Sequence, residues 1–295
     1  FLVHLSCLLI ASTQRNIGIA DWYHHLIMAY VGYIIIYFLA QFPLQSLRKY
    51  IIPIYFITLF ALLYVNLSGT SALGAQRWLS FAGLNLQPSE FAKITLIFVL
   101  ASILDRNRFS DLSHLVKPIL VSFIPWLLVF IQPDLGTSLV FGAILLGMLY
   151  WSGMPYEWAF IVLATLVTGV FACLYSPGLL IWIPIIAFLA YKALPRKRIL
   201  TALVIFFHLS IAKITPWFWE NILKDYQKER LIIFIDPSQD PLGGGYHMLQ
   251  SKIGIGSGGL IGTGLMQGEL TKLKFIPEQH TDFIFSALGE ETGFV

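Results

Sequence analysis

The chain has 295 residues, 57% of them hydrophobic and 12% charged, with a mean hydropathy of +0.75. Soluble domains carry about 25% charged residues, so a water-soluble globular protein is excluded and a polytopic membrane protein is required. A net charge of +3 gives no basis for a nucleic-acid partner, and two cysteines, Cys7 and Cys173, both inside apolar runs, exclude a disulfide framework and a cysteine-based metal site.

Apolar runs fall at about 1–11, 24–41, 51–68, 88–104, 117–131, 136–152, 157–175, 178–193 and 199–215, and a tenth begins near Asp282. Phe1 and Val295 each sit within such a run, as expected of a segment of a longer chain, so no signal peptide is read. Several runs are shorter than the ~20 residues of an untilted span, and tight pairs are open to a re-entrant reading. Helices are expected throughout, because lipid offers no partner to a free backbone group and no alternating ten-residue strand pattern appears. The fold class predicted is an all-α polytopic membrane bundle with a long extracytoplasmic loop: bundle 1–215, loop 216–281, further span from 282.

Basic residues set the orientation. Arg48, Lys49, Arg106, Arg108, Lys117, Lys192, Arg196, Lys197 and Arg198 fall in alternate short connections, whereas the intervening ones carry Arg15 and Arg77. The positive-inside rule places the first group in the cytoplasm and the connections with Arg77, Asp134 and Asp240 outside.

On the outer side, residues 69–88 read as a polar-aromatic connection in which Arg77 and Trp78 suit the headgroup zone. It leads into QPSEFAK, with Pro88 at a helix start and Glu90 in the first turn. Glu90 and Lys93, three apart, share one helix face. They are either a local ion pair or the charged wall of a cavity. Asp134, in QPDLG, reads as a turn-former and helix cap. Asn66-Leu67-Ser68 is a weak sequon at a span end, and His24, His25 and His208 read as packed or interfacial. Trp217 and Trp219 mark the membrane interface.

The polar stretch that follows is the densest in charge: 14 of the 35 charged residues (19 basic plus 16 acidic) lie in 216–282. Asp236-Pro237 and Asp240-Pro241 are turns. The glycines after Asp240 allow close backbone approach and open a helix carrying Gln250, Ser251 and Lys252. Backbone donors and a cation beside a carboxylate suit a site that holds a diphosphate and abstracts a proton. GIGSGG, at 254–259, fits GxGxxG formally but lacks the strand and the later acid of a dinucleotide site, and reads as a close-packed or headgroup segment. Glu278, His280 and Asp282 lack a zinc spacing; an oxygen-rich cluster of this kind would suit magnesium or manganese.

The runs GAQRW, QPSEFAK, QPDLGTS, DPLGGGYHMLQSKIGIGSGGL and PEQHTDFIFSALGEE, in this order, resemble the SEDS (shape, elongation, division and sporulation) family, nearest to its rod-shape, or RodA, branch. The resemblance covers the chain from about Gly69 onward. It implies a membrane glycosyltransferase that polymerises lipid II into peptidoglycan strands during elongation and rod-shape maintenance. It also implies a class B penicillin-binding protein and other elongation-complex membrane proteins as partners. Asp240 matches the family's essential aspartate and proposed base. Glu90 and Lys93 match a charged pair at the central cavity, and Arg77, Lys252, His280 and Asp282 fall in motifs of the same outer region, with Gln250 beside Lys252. A divalent cation is a possible cofactor. The family pattern has about seven spans before the loop, so the pair at 178–193 and 199–215 is a surplus that leaves the loop on the same face. The rival readings are a flippase for the lipid-linked precursor, whose charges belong near the bilayer midplane, and a scaffold without chemistry.

Overall fold

The computed structural model describes residues 1–14, 21–41, 43–68, 70–72, 75–81, 84–106, 113–132, 134–223, 225–240, 243–276 and 279–294. In chain order the helices are α1 (Leu2–Thr13), α2 (Asp21–Ala40), α3 (Leu44–Leu47) and α4 (Ile51–Ser68), then, after a small sheet, α5 (Pro88–Arg106), α6 (Ser113–Ile131), α7 (Leu135–Trp151), α8 (Tyr156–Leu174), α9 (Leu179–Ala193) and α10 (Lys197–Asn221). α11 (Asp225–Ile235), α12 (Gly244–Ser257), α13 (Glu269–Lys272) and α14 (Ile284–Thr292) complete the set. The nine apolar runs correspond to α1, α2 and α4–α10, and the start of the tenth to α14. By length and composition alone, five helical segments among the described residues are long and apolar enough to cross a membrane. α1, α4 and α7 are shorter apolar helices. The polytopic helical bundle expected from the sequence is therefore the observed architecture.

The connection after α4 carries an unexpected element, a three-stranded antiparallel meander of β1 (Thr70–Ala72), β2 (Ala75–Phe81) and β3 (Leu84–Leu86). Its register pairs Thr70 with Trp78 and Ser80 with Asn85. Three-residue strands are too short for a period of two to show in the sequence.

The chain divides into two compact units, residues 44–223 and residues 1–43 with 224–295. In the first, α4, α5, α6 and α7 pack on one another, and α8, α9 and α10 form a second mutually packed group that meets α7 through α8. Leu62, Leu96, Leu100, Val129 and Phe141 fill the core of the former and Trp158, Ile161 and Ala190 that of the latter. Internal prolines (Pro118 and Pro125 in α6, Pro184 in α9, Pro216 in α10) are tolerated because neighbouring helices can satisfy the freed backbone groups. α10 runs on to Asn221 and so carries Trp217 and Trp219 in its last turns.

The pair α9–α10 is fastened to α8 by a buried polar hub. Thr168 Oγ1 of α8 accepts from Trp182 Nε1 of α9 at 3.0 Å and lies 2.7 Å from His208 Nδ1 of α10. His208 is thus a packed histidine, 1% exposed. Trp158 Nε1 adds a bond of 3.2 Å to the carbonyl of Ala193, at the end of α9. In the second unit α2 packs against α1 and has no buried residue, so the rest of its surface is apolar and exposed, as in a lipid-facing helix.

Interhelical hydrogen bonds in bilayers are each worth about 0.6–2 kcal/mol. Thr168→Val, near-isosteric but without the shared hydroxyl, should lower the unfolding midpoint of the protein in detergent. Trp182→Phe, which removes one of the two bonds, should lower it less.

Candidate active site

The turn at Asp240 is built by its glycines. Asp236 caps a short 3₁₀ helix, Pro237–Gln239, by accepting from Ser238 N at 3.1 Å, from Ser238 Oγ and from Gln239 Nε2 at 3.3 Å. Asp240 follows directly, half-buried, and its Oδ1 accepts from Gly243 N at 2.9 Å. A Cβ on Gly243 would lie 2.1 Å from Asp240 Oδ2, and one on Gly245 would lie 2.1 Å from the Pro237 carbonyl oxygen. Both positions exclude a side chain, which is why the carboxylate can tuck against the amino end of α12. That end is a place where free N–H groups and the helix dipole favour negative charge.

Ser238 chiefly, through hydroxyl and amide, and then Gln239 hold the Asp236 carboxyl below its ordinary value, with a smaller pull from the Lys252 ammonium. Lys252 and Gln250 both lie on α12, as expected. Gln250 Oε1 and His247 Nδ1, one turn apart, are buried atoms with no hydrogen-bond partner among the described residues. His247, whose ring stands 6.0 Å from that of Phe283, was not singled out by the sequence reading.

Behind this turn α12 packs on α14 at glycine contacts. A Cβ on Gly254 would meet Ile276 Cδ1 at 3.0 Å, and one on Gly258 would sit 2.1 Å from the Gly289 carbonyl oxygen. The GxGxxG-like run is thus a close-packed helix face, in the manner of small-residue seams in membranes. α14 supplies two fully buried acids, Glu290 and Glu291, at 1% and 2% exposure. Glu290 accepts from Leu270 N (2.8 Å), Thr271 N (3.0 Å) and Thr271 Oγ1 (2.6 Å), and so caps α13 from across the fold. Gln279 Nε2 reaches Thr271 Oγ1 at 3.0 Å. Glu291 accepts from Met266 N at 3.0 Å and from Ser12 Oγ of α1. Sequence reasoning passed over this pair because adjacent acids in an apolar run show no partner until the loop is folded. The available signal was their position in a helix otherwise too apolar to carry charge.

His280 is half-buried and Asp282 exposed, in the turns before α14; Glu278 lies outside the described residues. Among the described residues no three His, Cys, Asp or Glu side chains gather to hold a metal.

The remaining expected residues belong to the other unit. Glu90 and Lys93 form an ion pair of 2.7 Å in the first turn of α5, the local pairing that their spacing allows. Arg77 lies in β2, and its side chain lies outside the described atoms. Asp134, 8% exposed, caps α7 by accepting from Thr137 N (3.1 Å) and Thr137 Oγ1 (2.9 Å), which is the structural role expected of it.

The apolar helices define a multi-pass membrane protein. A family model described as "Cell cycle protein", of the FtsW, RodA and SpoVE group, matches residues 1–203 and 175–295. The chain belongs to this family, the SEDS proteins of the inner membrane. It is 35% identical over 266 residues to the peptidoglycan glycosyltransferase MrdB of Escherichia coli, which covers 90% of this chain and 60% of that protein. It is 31% identical over 319 residues to the peptidoglycan glycosyltransferase RodA of Treponema pallidum, covering 96% of this chain and 72% of that one. A solved chain from a peptidoglycan synthase complex that coordinates polymerization and crosslinking superposes with a TM-score of 0.63 at 25% identity, over 99% of this chain and 68% of that one. The chain thus spans about 60% of the length of its Escherichia coli relative.

Two outcomes follow. Glu290→Ala leaves three donors without an acceptor, and each buried unsatisfied group costs about 1–3 kcal/mol, so the variant should lose its cooperative thermal transition or fail to accumulate. For Asp236, a carboxyl whose folded value lies below its unfolded one stabilises its turn at any pH above the ordinary 3.8 and loses that contribution as pH falls through the depressed value. The hydrogen-exchange protection factor of the Ser238 amide should therefore hold steady down to about this pH and fade below it.

Proposed function

We propose that the full-length protein is a peptidoglycan glycosyltransferase that polymerises lipid II on the extracytoplasmic face, in cell elongation and rod-shape maintenance. Its catalytic segment would be residues 216–281. Membership of the family supports the reaction class. The single observation that carries the residue assignment is the pair of glycines that hold the Asp240 carboxylate, half-exposed, at the amino end of α12.

In this reading Asp240 accepts the proton of the acceptor sugar 4-hydroxyl as that oxygen attacks the anomeric carbon of the second lipid-linked sugar. The new C–O bond forms as the bond to the diphosphate breaks, and the polyprenyl diphosphate leaves with the bonding electrons. Attack opposite the leaving group inverts an α donor to a β link, so one carboxylate suffices and no covalent intermediate is required. Lys252 is the cation assigned to the departing charge, and Gln250, His280 and Asp282 are assigned to substrate contact; the roles of Arg77, Glu90 and Lys93 rest on the family resemblance alone. A magnesium or manganese ion, when bound, would supply further neutralisation of the departing diphosphate. A class B penicillin-binding protein would act as the transpeptidase partner, together with other elongation-complex membrane proteins; the synthase complex that this chain resembles supports that assignment.

The test is polymerisation of purified lipid II by the full-length protein with its penicillin-binding partner. Asp240→Asn should abolish glycan chains in a folded protein, whereas Asp236→Asn, which loses only a turn cap, should keep a substantial part of the rate. Gly243→Ala should behave like Asp240→Asn, since its Cβ displaces the carboxylate. Normal polymerisation by Asp240→Asn would overturn the assignment of the base.

A further inference from the structure

The first unit contains an apolar groove of about 570 Å³ between α6, α7, α8 and α10, a volume typical of small-molecule sites. Ile119 of α6, Leu149 of α7, Trp158 of α8 and Leu203 and Phe206 of α10 are among its walls. These residues come from the opening turns of α6, α8 and α10 and the closing turns of α7. That is the end of the bundle that carries the basic connections, cytoplasmic by the positive-inside rule. Farther in, the groove reaches His208, already engaged by Thr168. It is therefore an apolar slot in the cytoplasmic half.

Its mouth is charged. Leu194 and Leu200 both line the groove, and the chain between them carries Arg196, Lys197 and Arg198, all exposed. Arg196 caps α10 in the left-handed region, at φ 51°. Lys192 lies over the Phe188 ring at 4.6 Å and Lys197 over the Tyr191 ring at 5.7 Å, so both ammonium groups rest on α9. Arg196 and Arg198 take part in none of the ion pairs of the described residues. Lys117 of α6, two residues beyond the lining residue Leu115, adds a further cation at this end. The opposing acid on these helices is Glu157, in the first turn of α8. The balance at the mouth is strongly positive.

We propose that this groove holds an acyl chain of an anionic phospholipid of the cytoplasmic leaflet, with its phosphate bound by Arg196 and Arg198. A guanidinium matches a phosphate with two parallel donors, and basic pockets between helices on the cytoplasmic side are recognised sites for anionic headgroups. A zwitterionic lipid would gain the same apolar contact but not the charge, so the site discriminates by headgroup.

The experiment uses the full-length protein in nanodiscs of equal phosphatidylglycerol and phosphatidylcholine, with co-purifying lipid counted by native mass spectrometry. Phosphatidylglycerol should be enriched on the wild type. Each cation near an anionic surface contributes a several-fold preference, so the Arg196→Gln/Arg198→Gln double variant should cut the enrichment roughly tenfold. The Arg196→Lys/Arg198→Lys double variant, which keeps the charge and loses the paired donors, should fall between the wild type and the glutamine variant. Leu203→Trp, which fills the groove and leaves the mouth intact, should lower retention of phosphatidylglycerol; it carries the test if the glutamine variant does not fold. Equal retention of the two lipids by the wild type would mean bulk lipid only and would overturn the proposal. Undiminished enrichment in the glutamine variant, or undiminished retention in Leu203→Trp, would overturn it as well.

Discussion

Two buried carboxylates hold the acidic turn in place. Glu290 and Glu291 stand in an apolar helix where an unpaired charge would be costly, and each is satisfied by backbone and hydroxyl donors from elsewhere in the same unit. Glu290 closes the loop that carries α13, and Glu291 ties that loop and α1 to α14. α14 in turn presses its glycine face on α12, whose amino end carries Asp240. Substituting the acids therefore acts on the turn without touching it.

The other unit solves a different problem. Some of the polar groups its helices bury are shared between helices: one threonine hydroxyl serves α8, α9 and α10, and Gln132 reaches back to the Leu62 carbonyl of α4 at 3.2 Å. Lipid tails are as apolar as leucine, so hydrogen bonds and close packing specify the arrangement. The pair α9–α10 is fastened in this way as well as by its apolar packing on α8.

Much of this was legible in the sequence. Apolar run length gave the helices nearly to their ends, because membrane thickness leaves little freedom. Asp134 read as a cap from its Gln-Pro-Asp-Leu-Gly context alone, whereas for GIGSGG the missing strand and acid left a close-packed and a headgroup reading open, and close packing is found at Gly254 and Gly258. The meander at 70–86 was not legible, since β1 and β3 have three residues each and β2, Ala-Gln-Arg-Trp-Leu-Ser-Phe, does not alternate apolar with polar residues. Nor were Glu290 and Glu291, whose partners lie about twenty or more residues away and converge only in three dimensions. The local ion pair Glu90–Lys93 follows from spacing, whereas the placement of Asp240 depends on glycines whose steric role appears only when a Cβ is tried there.

The hydrogen bond between Ser12 and Glu291 joins residues 279 positions apart. Helices α3–α10 lie in one continuous stretch and can assemble as they emerge from the ribosome, since domains form in order of synthesis. The unit that carries Asp240 cannot: α1 must wait in the membrane, unpaired with α14, until nearly three hundred residues have been made. Loop closure over such a distance is slow. The order of events is thus built into the chain, with the bundle inserted first and the acidic turn set only when its distant carboxylate arrives.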